Sequence, residues 1–506
     1  MPEQASVPGN RVATPVEPTS PASFPAMGVD HDFVIVGAGT AGCVLAARLS
    51  EDPGVRVLLM EAGAAEPDPR SAIPPAWPLL QDTASDWGDL TVPQLSGAPV
   101  NLPRGRGLGG SSAINAMVFT RGHRSAYDRW GVKGWGFDDL LPYFGRSERA
   151  LSVGPATPAH PWATAFLEAS AQAGHPLAAD ISGGTEFGFG RTDVTIAGGR
   201  RISSADAYLT PAAQRANLEI ITDAQVRRIL FDDTRAVGVS FRTNGIDRQV
   251  RCEREIILAA GAIGSPHLLM LSGVGPAGHL RDLDIDVVAD RPGVGSNLHD
   301  HVVTILVYEA AQETPPAVNG HVDIIGLAAS TGDLPDLQLF SFDVPLVPEG
   351  VLEHGYTIGI SAMAPYSRGT VRLRSADPRT LPSVDPAYYR DPRDLDTMAI
   401  GLAMGREIGR QPALSVWRKR EVTPGPDTRD DRAVREYLLA STHPYYHPVG
   451  TCRMGADNDA VVDSELRVHG LDGLRVVDAS IMPTITSGNT AAPVYGIAER
   501  AAELIR

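Results

Sequence analysis

The chain has 506 residues, which is long enough for two or three domains with a large buried core. It is 43% hydrophobic and 21% charged, as globular proteins are, and its net charge of −16 argues against a nucleic-acid-binding surface. No apolar run reaches the roughly 20 residues that span a bilayer, so no membrane span is expected. Residues 1–29, rich in proline, alanine and serine, predict a disordered tail rather than a signal peptide.

The first motif begins at His31, where the sequence reads HDFVIVGAGTAGCVLAARLSEDPGVRVLLMEAG. It predicts a strand at residues 33–36, a glycine-rich turn, a helix ending near residue 49 and a second strand at residues 55–60. In this arrangement Gly37 permits a tight turn, Gly39 lets the backbone approach a pyrophosphate, and Gly42 lets the helix pack on the strand. The N-terminus of the helix offers unpaired N–H groups to the phosphates.

An acidic residue completes this motif. Glu61 follows the second predicted strand, 19 residues beyond Gly42, and its carboxylate can accept hydrogen bonds from ribose hydroxyls. The alternative, a structural glycine-rich turn, leaves Glu61 unexplained. The motif therefore predicts dinucleotide binding, although it does not distinguish FAD from NAD.

A second cluster of small residues, GRGLGGSSAINAMVFTRGHRSAYD, occupies residues 105–128. Gly109, Gly110 and Ser111 allow the backbone to come close to a flat ring or a phosphate. A surface loop is the alternative. The apolar residues that follow favour buried backbone beside a ligand.

This cluster resembles the one that the glucose–methanol–choline (GMC) oxidoreductases carry beside their flavin. Later segments are similar to the same family, in the same order: GAIGSPHLLMLSGVG, RPGVGSNLHDH, APYSRGTVRLRSADP, HPVGTCRMG and LRVVDASIMPTITSGNTAAPVYGIAERAAELI. The resemblance covers about residues 31–505 and implies FAD rather than NAD.

The resemblance also implies an α/β fold in two parts. A Rossmann-like FAD-binding domain would be assembled from residues 30–155, 196–300 and 431–506. An α+β substrate-binding domain with a sheet over the flavin would come from residues 156–195 and 301–430.

Two further strand-like segments, residues 255–262 and 473–480, end in small residues. Because ligands bind at the carboxyl ends of such strands, Ala260, Gly261, Asp478 and Ala479 are candidates to line FAD. With the resemblance, the predicted FAD-binding residues are Gly37, Gly39, Thr40, Ala41, Gly42, Glu61, Ala62, Arg106, Gly109, Gly110, Ser111, Asn115, Ala116, Val118, Val226, Ala260, Gly261, Asp478, Ala479, Asn489 and Thr490.

One position departs from part of the family. Some members attach FAD covalently through a histidine just before the asparagine of the second cluster. Here Ile114 precedes Asn115, and isoleucine has no nucleophile. The sequence therefore predicts non-covalent FAD and argues against the choline-oxidising branch.

The segment THPYYHPVGTCRMG holds two histidines four residues apart, His443 and His447. They could be a metal pair, packed core rings, or include a catalytic base. The prolines after each histidine disfavour a helix, and no acidic third ligand lies nearby, so no metal site is predicted. Core packing is predicted for His443, with a position near the active site as the alternative, because two tyrosines link it to His447. Core packing is also the first interpretation for Tyr446, with a wall of the substrate pocket as the second.

The chemistry favours His447 as the base. Oxidising an alcohol requires a group that removes the hydroxyl proton near neutral pH, as imidazole can. By resemblance, the family's base matches His447 and its partner matches Asn489, which can donate and accept hydrogen bonds without titrating. A buried structural histidine and a turn asparagine are the alternatives. The run His299, Asp300 and His301 is predicted to be a structural loop between domains.

The predicted function is FAD-dependent oxidation of an alcohol, primary or benzylic by analogy, to the carbonyl, with proton abstraction by histidine, hydride transfer to flavin N5 and electrons passing to O2 or another acceptor. A hydroxynitrile lyase using oxidised flavin and a flavin-bearing binding protein are the alternatives. The pair His447 and Asn489 argues against the second of these. The three cysteines Cys43, Cys252 and Cys452 are too sparse for a disulfide framework and fit a cytoplasmic location. The alcohol, the choice between oxidase and dehydrogenase, and the oligomeric state stay open.

Overall fold

A computed structural model describes residues 31–185, 187–348 and 351–506 of the chain. The predicted tail at residues 1–29 lies outside the described residues. Two seven-stranded sheets organise the structure, and helices cover their faces. The α-helices of the described residues are Thr40–Leu49, Arg124–Asp128, Phe137–Leu151, Pro161–Gln172, Thr210–Ala212, Gly261–Leu271, Ala277–Arg281, Pro392–Arg410, Asp431–Ala440 and Ala491–Ile505.

The first sheet contains the predicted nucleotide-binding strands. His31–Val36 pairs in parallel with Val57–Met60 on one side and with Ile246–Leu258 on the other. Leu218–Ile221 and Leu474–Val476 extend the sheet outward, also in parallel. These strands are largely apolar, as parallel strands covered on both faces must be. The strands and the helix predicted from the first motif are therefore confirmed, as is the prediction that a C-terminal strand completes this sheet.

The two halves of the strand Ile246–Leu258 pair with different strands and in different directions. Its second half belongs to the parallel layer, and its first half pairs antiparallel with Arg235–Thr243, which in turn pairs with Ala224–Asp232. The helix Gly261–Leu271 begins three residues after the strand ends. The predicted strand at residues 255–262 therefore ends at Leu258, and its last residues form the turn into this helix.

The second sheet is antiparallel. In spatial order its strands are Arg418–Thr423, Val302–Ala310, Gly355–Ala362, Leu337–Phe342, Ile324–Ala328 and Gly188–Arg191, and the short strand His443–Pro444 pairs with Val302–Ala310. One face packs against the helices Pro161–Gln172 and Pro392–Arg410. The other face presents apolar side chains such as Val303 and Phe340 to a cavity. This α/β and α+β combination confirms the predicted fold class, while the domain boundaries stay a prediction.

Short elements connect the two sheets. The paired short strands are Gly154–Pro155 with Asp193–Val194, Ile196–Ala197 with Arg200–Arg201, Val274–Gly275 with Ala289–Asp290, and Thr370–Arg372 with Ser383–Asp385. The 3-10 helices are Pro69–Ala72, Pro74–Leu80, Gly110–Ala113, Pro412–Leu414 and Ala479–Ile481, and Ala205–Leu209 is a π-helical turn. Within the described ranges, no helix combines the length and the apolar character needed to cross a membrane.

Candidate active site

A cavity of about 860 Å³ lies between the carboxyl edge of the first sheet and the open face of the second. Its volume falls within the range of about 300–1,000 Å³ that is usual for ligand pockets. Glycine backbone and the ends of parallel strands form one end. Apolar side chains of the second sheet form the other. The two ends therefore differ in chemistry, as a cofactor site joined to a substrate site would.

The first glycine motif builds the nucleotide end. Gly37 has φ +101°, and a Cβ atom there would lie 2.7 Å from the Ala259 carbonyl oxygen, so this turn requires glycine. A Cβ atom at Gly39 would meet Gly110 Cα at 3.9 Å and otherwise enter the cavity that both residues line. The helix Thr40–Leu49 begins here with no side-chain cap. Its free N–H groups suit the pyrophosphate of FAD.

Glu61 lies at the end of Val57–Met60, where the sequence predicts a ribose acceptor. Its Oε2 accepts a hydrogen bond from the Ala38 N–H at 2.9 Å, and its Oε1 accepts from the Gly63 N–H at 2.8 Å and the Gly107 N–H at 3.1 Å. Burial raises the pKa of the Glu61 carboxyl above its usual value, and these three donors oppose that shift. A carboxylate has about four acceptor positions, so one stays available for a ribose hydroxyl.

Asp478 organises the opposite strand ends. Its Oδ2 accepts from the Gly261 N–H at 2.9 Å and from the Ser265 hydroxyl at 2.5 Å, and its Oδ1 accepts from the Ser480 N–H at 2.8 Å. Burial raises the pKa of this carboxyl. A Cβ atom at Gly261 would have nothing within 4 Å, so the backbone here is open to the cavity. The residues at this edge fit FAD.

Most predicted FAD-binding residues line the cavity, and three lie behind it. The lining residues are Gly37, Gly39, Thr40, Ala41, Glu61, Ala62, Gly110, Ser111, Asn115, Ala116, Val118, Val226, Ala260, Gly261, Asp478, Ala479, Asn489 and Thr490. Gly42 packs against the Gly37 carbonyl, the Gly109 N–H donates to the Ala38 oxygen, and Arg106 Nη2 donates to the Ala62 oxygen. These three shape the backbone that carries the lining residues.

Sequence reasoning missed two arginines at this end. Arg104 lines the cavity, and its guanidinium lies 4.6 Å from the Trp87 ring centroid and pairs with Asp89. Arg201 is buried and donates from Nη1 to Asn115 Oδ1 at 2.7 Å, which fixes the residue after Ile114. Neither arginine lies in a motif with the expected spacing, so only the folded arrangement identifies them.

His447 is buried at the junction of the two ends. Its Nε2 is 3.3 Å from Asn489 Nδ2, so the predicted catalytic pair is in contact across 42 residues of sequence. Its Nδ1 is 3.0 Å from His301 Nδ1, and the two rings are nearly perpendicular at 88°. Burial, with a smaller contribution from His301, holds the pKa of His447 well below its usual 6.5. His447 is therefore neutral at pH 7, as a general base must be.

The hydrogen bonds assign the protons of these rings. The Asn489 amide donates to His447 Nε2, so that nitrogen carries a lone pair and the proton resides on Nδ1. His447 Nδ1–H then donates to His301 Nδ1, which leaves the His301 proton on Nε2. His301 Nε2 is buried and has no hydrogen-bond partner among the described residues. The buried Asn489 Oδ1 has no partner among the described residues.

The run His299, Asp300 and His301 does more than the structural loop predicted for it. His299 is structural: its Nδ1 donates to the Asn297 oxygen and its Nε2 accepts from the Ile485 N–H. Asp300 Oδ1 accepts from the His447 N–H at 2.7 Å, and burial raises the pKa of Asp300 to about 7. Asp300 and His301 therefore hold the backbone and the ring of His447, which the sequence did not predict.

Core packing was the wrong interpretation for two residues of the histidine segment. His443 is exposed and lines the mouth of the cavity, because the strand His443–Pro444 places its histidine on the outer face. Tyr446 is 38% exposed, with φ +63°, and also lines the cavity; a wall of the substrate pocket stays a prediction for it. Tyr445 was missed: its ring centroid lies 4.5 Å from that of His447, and it stacks on Phe340 at 5.2 Å.

Within the described residues, no three His, Cys, Asp or Glu side chains form a group that could hold a metal ion. His447 contacts His301 rather than His443. The spacing of His443 and His447 therefore reflects an extended segment in which the two side chains have separate surroundings.

Comparison with known proteins gives the family. Residues 31–303 and 365–498 match GMC oxidoreductase, and the chain belongs to that family. It is therefore an FAD-dependent oxidoreductase of the class that acts on alcohols. The comparisons give no support to the hydroxynitrile lyase alternative.

The relatives include an oxygen-dependent choline dehydrogenase of Pseudomonas syringae, 39% identical over 94% of each chain. The mitochondrial choline dehydrogenase of Homo sapiens is also 39% identical, over 94% of this chain and 90% of its own. Among solved structures, pyridoxine 4-oxidase from Mesorbium loti has a TM-score of 0.89 and 36% identity, over 94% of this chain and 99% of its own. Ile114 led to the expectation that the chain lies outside the choline-oxidising branch, and the similarity to choline dehydrogenases gives that expectation no support.

Two glycine variants should separate folding from cofactor binding. A Cβ atom at Gly42 would lie 1.8 Å from the Gly37 oxygen, so Gly42→Ala should destabilise the flavin-stripped protein by about 1–3 kcal/mol. Gly39→Ala places its Cβ in the cavity, so it should change the Tm little but weaken FAD retention. Thermal denaturation of stripped protein and flavin content after gel filtration measure the two effects. Full FAD retention in Gly39→Ala would contradict the placement of the pyrophosphate.

Proposed function

We propose that the chain oxidises a primary alcohol to the carbonyl, with His447 as the catalytic base and Asn489 as the group that holds the substrate oxygen. The contact between His447 Nε2 and Asn489 Nδ2, buried at the wall of the cavity, carries this proposal. A hydroxyl group lying on the cavity side, within hydrogen-bond distance of both atoms, would replace their direct contact, donate its proton to Nε2 and accept a hydrogen bond from the amide. FAD, when bound, supplies a hydride acceptor at N5.

His301 is proposed as a positioning residue. Its Nδ1 accepts the Nδ1–H of His447, which keeps the lone pair of His447 on Nε2, facing Asn489. When His447 takes the substrate proton, its imidazolium retains this acceptor and stays hydrogen-bonded. Asp300 holds the His447 backbone through the N–H bond, so the ring does not move away as its charge changes.

The Asn489 amide stabilises the oxygen as it gains negative charge. A fixed donor in a water-poor site lowers the barrier for such a charge more than water does, because it needs no reorganisation. Apolar residues of the second sheet line the cavity beside this position. The electrons leave to O2 or another acceptor.

Ile114 supports the proposal that FAD is held without a covalent bond. Ile114 lines the cavity beside Asn115 and offers no nucleophile to the flavin. The predicted two-domain division is kept as part of this proposal, since the strands of the second sheet come largely from residues 188–191 and 302–423. The cysteines Cys43, Cys252 and Cys452 are free and buried, which supports the proposed cytoplasmic location.

Removing the base should slow flavin reduction while leaving FAD bound. His447→Ala is expected to reduce the rate by about 10²-fold or more, the usual range for general acid–base catalysis. Anaerobic stopped-flow mixing with the substrate alcohol measures this rate. His354→Ala is the matched control, because His354 is partly exposed and does not line the cavity. An unchanged rate in His447→Ala would refute the assignment of the base.

The pH profile should show the depressed pKa of His447. Activity requires neutral His447, and kcat/KM falls as pH drops through the pKa of the base in the free enzyme. Since burial and His301 lower that pKa below 6.5, kcat/KM should hold as pH falls through 6.5 and decline only at lower pH. In His301→Ala kcat should fall, because His447 loses the Nδ1 acceptor that orients its ring. A wild-type decline centred at or above pH 6.5 would be inconsistent with this account.

Acid precipitation tests the attachment of FAD. Because Ile114 cannot form a bond to the flavin, all flavin should appear in the supernatant after the protein is denatured in acid. Absorbance of supernatant and pellet gives the partition. Flavin retained on washed, denatured pellet would show a covalent link at some other residue.

A further inference from the structure

The substrate end of the cavity is walled by apolar and aromatic side chains. They come from the two strands on either side of Gly355–Ala362 and from loops of the second sheet: Val303, Ile305, Val322, Phe340, Phe342 and Tyr445. Val303 and Ile305 face the cavity from one strand, two residues apart, and Phe340 and Phe342 do the same from another, as the alternation of a strand requires.

We propose that the substrate is an uncharged alcohol with an apolar body, aromatic or branched, and that the pocket discriminates against a quaternary ammonium alcohol such as choline. This inference rests on the proposed function and specifies its substrate class. This substrate class differs from choline, the substrate in the names of the choline dehydrogenases that the chain resembles.

The charged side chains that line the cavity belong to its other end. Glu61 and Asp478 lie at strand ends of the first sheet, and each is already hydrogen-bonded to backbone N–H groups. Arg104 is paired with Asp89. Within the described lining of the substrate end, no Asp, Glu, Lys or Arg is present.

Buried carboxylates next to the apolar wall are occupied; Asp323, beside the lining residue Val322, accepts from the His160 N–H at 2.7 Å and from Asn319 Nδ2 at 3.2 Å. Asp343 falls between the lining residues Phe342 and Val344, but its Oδ1 is 2.5 Å from His321 Nδ1. Asp300 accepts from the His447 N–H and from the Tyr388 hydroxyl at 2.6 Å. None of these carboxylates lines the cavity, so none is placed to neutralise a cation there.

The aromatic rings do not replace a counter-ion. A cation over an aromatic face is attracted, and cages of several aromatic faces bind quaternary ammonium groups, but a cage requires those faces to be free and directed at one point. The rings of Phe340 and Tyr445 are stacked, with 14° between their planes, so each ring covers one face of the other. Trp77 meets Phe342 edge to face. An uncharged apolar body gains from the same wall without a desolvation penalty.

The entrance has the same character. Leu346 and Tyr446 line the cavity and are 42% and 38% exposed. Exposed apolar residues grouped at a cavity mouth suit the entry of an apolar molecule. Mouth and wall therefore select for the same property.

A matched pair of alcohols tests the proposal on the wild-type holoenzyme. Choline is compared with its neutral isostere, in which a tert-butyl group replaces the trimethylammonium group, and with benzyl alcohol. Flavin reduction is followed anaerobically, and kcat/KM is measured for each alcohol. The neutral isostere should exceed choline by about tenfold or more, because only choline must lose its hydration without an anionic partner. Benzyl alcohol should also exceed choline.

The outcomes separate the two proposals. If choline equals or exceeds its isostere, the substrate-class inference fails while alcohol oxidation stands. If polyols alone reduce the flavin, the inference fails in the same way. If no alcohol reduces the flavin, the proposed function itself fails, and the inference with it.

Two variants at one position test the cause. Ile305→Glu places an anion on the wall, and Ile305→Gln adds a side chain of similar size without the charge. The ratio of kcat/KM for choline to that for its isostere should rise by about tenfold in Ile305→Glu and stay near the wild-type value in Ile305→Gln. Equal ratios in the two variants would show that wall charge does not control selection.

Discussion

The structure depends on the parallel pairing of three strands drawn from distant parts of the chain. His31–Val36 pairs with the second half of Ile246–Leu258, and that half pairs with Leu474–Val476. All three point the same way, so Gly37, Gly261 and Asp478 meet at one edge. The bonds from Gly261 and Ser265 to Asp478 then join the second and third strand ends. The cofactor end of the cavity is a consequence of this register.

A second pairing, between the segments at His299 and Val449, sets the catalytic end. The N–H of Val449 donates to the His299 oxygen, and the N–H of Tyr445 donates to the His301 oxygen. These antiparallel bonds bring His301 against His447 inside an apolar layer. Burial then keeps both rings neutral at pH 7, with the pKa of His301 lowered to about 3. The same burial lowers the pKa of the proposed base His447, and the described lining of the proposed substrate end holds no Asp, Glu, Lys or Arg.

Local patterns in the sequence predicted the elements that local chemistry determines. The glycine turn at Gly37, the helix after it and the acid at Glu61 follow from spacing within one segment. The resemblance to the GMC oxidoreductases added the predictions that His447 is the base and Asn489 its partner. The contact between His301 and His447 joins residues 146 positions apart, and no periodicity encodes it. The exposure of His443 also cannot be predicted from the neighbouring sequence, because the pairing with Val302–Ala310 decides which face of the segment turns outward. For Tyr446, positive φ breaks the alternation that a sequence-based assignment assumes.

The central claim is that His447 and Asn489 hold an alcohol whose carbon-bound hydrogen leaves as hydride. Anaerobic mixing of the yellow holoenzyme with benzyl alcohol, unlabelled and with deuterium on the reacting carbon, tests it most directly. The account predicts that the visible flavin band bleaches and that deuterium slows the bleaching. A band that persists with every alcohol, together with cleavage of a cyanohydrin by the oxidised enzyme, would contradict it.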